Sequence, residues 1–87
     1  MAYYLISYDL RTPGQDYTKL YDAIKDFDEW QHPLESTWFI KTEIMKANDI
    51  FNKIKPLIDE NDLLLIIKVD KNDKQGWLAS SFWKWLN

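Results

Sequence analysis

A chain of 87 residues is long enough for one domain (residues 1–87) with a single small core, because small domains bury a lower fraction of their surface. It has no cysteine, which excludes disulfides and thiolate metal centres, and its net charge of −3 excludes the strongly basic footprint of a tight nucleic-acid binder. Acidic groups crowd the first half: residues 1–44 carry eight against four basic side chains, residues 45–87 six against seven.

The first segment, Ala2 to Leu10, is rich in aromatic and β-branched residues and is closed by the turn-forming run Arg11 to Asp16. With a side-chain period of two, Tyr4, Ile6, Tyr8 and Leu10 share one face and Tyr3, Leu5, Ser7 and Asp9 the other. Both faces are largely apolar, so a central strand is expected. Asp9 stands out at its carboxyl end, either as a cap for the turn of Thr12, Pro13 and Gly14 or as a group that does chemistry.

Asp16 is placed to cap a helix over Tyr17 to Phe27, whose apolar stripe is Tyr17, Leu20, Tyr21, Ile24 and Phe27. Asp28 to Leu34 reads as a polar loop carrying Trp30, Pro33 and the only histidine, His32, which has no partners for a zinc site. A second strand is predicted over Glu35 to Thr42 and a second helix over Ala47 to Ile58, with Pro56 expected to kink or tighten its last turn. Asp59 to Asp62 is a sharp polar turn. Leu63 to Val69, apolar on both faces until Lys68, is expected to be a third strand near the centre of the sheet. Asp70 to Gly76 is a charged loop. Gly76 to Leu78 is suited to a short edge strand, and Ser80 or Ser81 to capping a last helical turn through Leu86.

Strands alternating with short helices predict an α+β fold, a ferredoxin-like βαββαβ sandwich with an antiparallel sheet, helices on one face and a short Trp-rich tail. The other face, with Tyr3, Leu5 and Phe39, would be wet in a monomer. Five Trp exceed the needs of so small a core. A homodimer packed sheet against sheet follows, with Tyr3, Leu5, Trp77, Trp83 and Trp85 as its candidate interface. The longest apolar run, Leu63 to Ile67, is too short to span a bilayer, and no signal-like leader opens the chain, so a soluble, cytoplasmic protein with no membrane partner is expected.

Ser7-Tyr8-Asp9-Leu10 resembles the Tyr-Asp-aliphatic signature of the CRISPR-associated Cas-two family, and Glu35-Ser36-Thr37-Trp38-Phe39 is similar to that family's second strand. Over nearly its full length the chain resembles SinR-family, Cas-two-like proteins of bacteria and phages, through Tyr4 to Leu10, Pro13 to Tyr17, Ser36-Thr37-Trp38, Lys55-Pro56 and Lys84-Trp85-Leu86. The resemblance implies a ferredoxin-fold homodimer. It also implies one of several roles: a metal-dependent nuclease, a structural bridge between protein and DNA, or a VapD-like toxin that cuts RNA. In the nuclease case Asp9 and its symmetry mate would be catalytic and hold Mg²⁺, which favours carboxylate oxygens and waters. Arg11, the only arginine, would contact a nucleic-acid phosphate. The alternative is a non-catalytic module that binds another protein, in a CRISPR-related or phage–host assembly, through aromatic surfaces.

Overall fold

Alternating side chains, buried or half-buried until the exposed Asp9, make Ala2–Asp9 the strand β1, and the computed structural model, which describes residues 1–87, builds every other element around it. In chain order the rest are α1 (Thr18–Lys25), β2 (Glu29–Leu34), β3 (Thr37–Thr42), α2 (Ala47–Ile54), a 3₁₀ turn (Lys55–Leu57), β4 (Leu63–Lys68) and α3 (Ser80–Leu86). The architecture is α+β: one four-stranded antiparallel sheet in the order β2-β3-β1-β4, with three helices. β1 pairs antiparallel with both β3 and β4, so each of the connections through α1 and α2 skips one strand.

One face of the sheet holds the main core. Tyr4, Ile6 and Tyr8 of β1 and Trp38 and Ile40 of β3 pack against Leu20 and Ile24 of α1 and Ile50 and Ile54 of α2. Burying an aliphatic side chain completely, as Ile6, Ile24, Ile50 and Ile54 are buried, contributes about 1.5–3 kcal/mol each. At the start of α1 the Asp16 carboxylate accepts the Thr18 N–H at 2.9 Å, and at the start of α2 the Asp49 carboxylate accepts the Lys46 N–H at 2.9 Å. Pro56 lies inside the 3₁₀ turn that ends α2, so the last turn is tightened as expected.

Several expectations are corrected. The segment read as a polar loop holds β2, an edge strand; Pro33 is tolerated there because its missing N–H falls beside a register shift between Gln31 and Leu34. Glu35 and Ser36 turn the β2–β3 hairpin rather than opening a strand, and α1 is shorter at both ends than its apolar stripe. β4 is adjacent to β1 but lies at the sheet edge, not its centre, so its apolar residues on one face stay in solvent. Gly76 to Leu78 forms no strand. Ala79 takes the position before α3, and neither Ser80 nor Ser81 caps it. The tail also covers part of the second sheet face: Phe82 and Leu86 bury Tyr3, with Phe39, Val69, Leu78, Trp83 and Trp85 packed around them. Tyr3 is therefore covered within the chain.

Candidate functional site

The carboxyl end of β1 brings two acids near one loop, and they do different work. Asp9 is paired in register with Leu63 of β4, and its carboxylate accepts only the Arg11 Nε–H, at 3.0 Å. Both side chains of that pair are more than half exposed, so it is worth about 0–1 kcal/mol and is easily displaced. Asp9 makes no hydrogen bond to the turn. Thr12 to Gln15 closes by its own backbone bond of 3.3 Å, with Gly14 supplying the positive φ of 79° that the turn requires.

Asp62 holds the loop. It is buried, and its two oxygens accept the Arg11 N–H at 2.7 Å, the Asp59 N–H at 2.8 Å and the Tyr17 hydroxyl at 2.9 and 2.8 Å. Burial alone pushes this carboxyl up, but the Arg11 and Asp59 N–H groups, the Tyr17 hydroxyl and the Thr12 N–H together outweigh it and hold its pKa below the ordinary carboxylate value. In return burial, with the Asp62 charge behind it, raises the Tyr17 phenol. Sequence reasoning passed over Asp62 as one acid of a polar turn. Its signal is positional: it immediately precedes the strand that pairs with β1, which sets it opposite the loop after Asp9.

Beside Asp9 the second sheet face carries a row of exposed aliphatic side chains. Ile67, Leu65 and Leu63 of β4 stand opposite Leu5, Ser7 and Asp9 of β1 and so share their face. The three are 51, 55 and 51% exposed, on a strand whose outer side pairs with nothing. Ser7, Tyr8, Asp9 and Leu63 to Leu65 line a shallow depression of 250 Å³ at one end of the row. No three His, Cys, Asp or Glu side chains converge to form a metal site within one chain.

The remaining candidate residues are divided by α3. Trp85 packs edge-on against Tyr3 at 5.3 Å and donates its indole N–H to Glu29 Oε1 at 3.0 Å. The Lys41 ammonium sits 4.9 Å from the Tyr3 ring, 5.2 Å from the Trp85 ring and 3.4 Å from Glu29. The Tyr3 hydroxyl, then Glu29, raise the Lys41 pKa against the opposing effect of burial. Trp83 meets Phe82 at 5.5 Å. Trp77 is wholly exposed in the loop before α3. The structure thus brings Tyr3, Trp83 and Trp85 into one intramolecular cluster, keeps Asp9 and Arg11 together, and leaves Leu5 with the exposed row. No helix is long and apolar enough to cross a membrane. No protein-family model matches the chain, and neither does any curated protein.

Proposed function

We propose that this protein works by association, as a ferredoxin-like, Cas-two-like homodimer that serves as a protein-binding module. The strand order β2-β3-β1-β4, with two crossovers that each skip one strand, supports the ferredoxin-like assignment. The row of Leu63, Leu65 and Ile67, half exposed beside Leu5 on an unpaired edge strand, carries the functional reading: monomers manage exposed edges with charge, and here the edge is apolar. A second copy is its best occupant. A two-fold axis lets this unpaired apolar edge meet its own copy, which covers both rows at once. With Tyr3, Trp83 and Trp85 engaged under α3, the interface moves to Leu5 and β4, and Trp77 stays free for another protein.

Sedimentation at micromolar concentration tests this. The wild type should show twice the 10.5 kDa chain mass, and Leu65→Lys should return the mass of a single chain with its fold intact. A wild-type monomer throughout the accessible range ends the homodimer model.

Metal-dependent cleavage of RNA or DNA at the dimer cleft is the second function, favoured by Asp9 standing free of the turn at the end of the same row. One chain offers a single carboxylate there, so the donor set fits Mg²⁺ only when the partner copy supplies the other Asp9 and water fills the remaining positions. When bound, the metal supplies an activated water. Asp9 would hold the cation, and Arg11, released from Asp9, would meet the phosphate. Asp9→Asn should abolish Mg²⁺-dependent cleavage and leave the dimer mass unchanged. Cleavage that survives this substitution, or a wild type that cuts neither nucleic acid, would exclude the nuclease.

A further inference from the structure

A cleft of 310 Å³ beside the β2–β3 turn is used by neither function. Six residues from five parts of the chain line it: Tyr8 of β1, Tyr21 and Lys25 of α1, His32 of β2, Glu35 of the turn and Trp38 of β3. Its floor is rigid. Trp38 is 2% exposed and donates its indole N–H to the Tyr8 hydroxyl oxygen at 2.8 Å. Burial, followed by its neighbours Tyr21 and Glu35, raises the Tyr8 pKa against the Trp38 bond, so the phenol is neutral and keeps a proton to donate.

The walls are aromatic. The His32 ring lies flat on Trp38, centroids 3.7 Å apart and planes within 9°, and the Tyr21 ring is inclined by only 21° to Trp38 at 6.2 Å. His32 Nε2 is 3.0 Å from the Glu35 carbonyl oxygen, which can only accept, so Nε2 carries a proton and donates it there. The histidine is thereby held as a flat, oriented surface, exposed on the side away from Trp38.

The rim carries one cation and one anion that do not meet. Lys25 and Glu35 are both exposed and line the same cleft, yet neither belongs to any of the chain's three ion pairs. Opposite charges held apart over aromatic walls complement a zwitterion with a ring. The volume, at the lower end of small-molecule sites, suits a ligand of one residue. We infer that this cleft binds a free aromatic α-amino acid, its carboxylate on Lys25, its ammonium on Glu35 and its ring against His32 and Tyr21. A residue at a chain terminus or inside a peptide lacks one or both of those charges. Nucleosides lack both, and so do neutral heterocycles.

The Trp38 indole N–H is a reporter at the floor of the cleft, and its NMR resonance can be identified by its loss in Trp38→Phe. Phenylalanine titrated into the full chain should shift that resonance in a saturable way. N-acetylphenylalanine and phenylalaninamide, each missing one charge, should bind about tenfold or more weakly, the scale of one lost charged hydrogen bond. Lys25→Ala should erase the difference between phenylalanine and its N-acetyl-free amide, and Glu35→Gln the difference between phenylalanine and its N-acetyl form, while both variants keep a folded spectrum. Equal binding of free and blocked forms overturns the proposal. So does a flat titration up to the solubility limit, or a shift produced by adenosine and not by phenylalanine.

Discussion

Asp62 and Asp9 show how little the identity of a residue says about its role until its neighbours are known. Both are aspartates at a strand end, both touch Arg11, and only Asp62 is buried under several hydrogen bonds. Its consequence for stability has a definite sign. The folded pKa of Asp62 lies below the ordinary value of 3.8, so the stability it contributes is fully present above 3.8 and is lost as pH falls through the lower, folded value. Asp62→Asn should lower the urea midpoint at neutral pH, because an amide cannot accept all of these donors, and should flatten the fall in stability on acidification. Asp9→Asn should leave both measurements near the wild type, since its single partner is exposed. Equal acid profiles for wild type and Asp62→Asn would show that the carboxylate is not what ties the loop.

Among the elements, α3 is the least anchored. It spans seven residues, too few to be stable alone, and is held to the sheet by side chains: Phe82 on Phe39 at 4.9 Å, and Trp85 on Tyr3 and Glu29. Phe82→Ala should therefore release α3 before it unfolds the domain. Amides of residues 80–87 should lose hydrogen-exchange protection while those of β1 and β3 keep theirs. Trp77→Ala, at a wholly exposed position, should change stability by less than about 0.5 kcal/mol. If Phe82→Ala instead unfolds the chain in one step, the tail is part of the cooperative core. β4 shows the converse case: well paired to β1 by its backbone, it leaves three large aliphatic side chains outside the core.

At the scale of the whole molecule, the proposed dimer has to overcome a net charge of −3 on each copy. Apolar area drives association through Leu5, Leu63, Leu65 and Ile67. Raising the ionic strength screens the repulsion between two acidic chains. Dimer dissociation should therefore be unchanged or weaker in high salt when followed by sedimentation. Steep dissociation with added salt would assign the interface to its ion pairs instead.

The sequence by itself determined the α+β class, the positions of β1, β3, β4 and the helices to within a few residues, the tightened turn at Pro56 and most of the main core. These follow from periodicity: Leu20 with Ile24, and Ile50 with Ile54, fall on one helical face, and alternation sorts Tyr4, Ile6 and Tyr8 from Tyr3, Leu5 and Ser7. Other features were out of reach because they depend on what lies across space. Trp30, His32 and Pro33 look like a loop until β3 offers them a ladder, and Leu63 to Ile67 looks central until the strand order puts β4 at the edge. The wet face inferred for Tyr3 was dry because α3, expected as a Trp-rich helical tail packed on the domain or its partner, folds back over that very residue. Asp62 bonds Tyr17 and Arg11 across 45 and 51 residues of chain, and Lys25 and Glu35, 10 residues apart, reach one cleft without meeting. Local pattern records which face a side chain takes, and only the packed chain decides what it meets there.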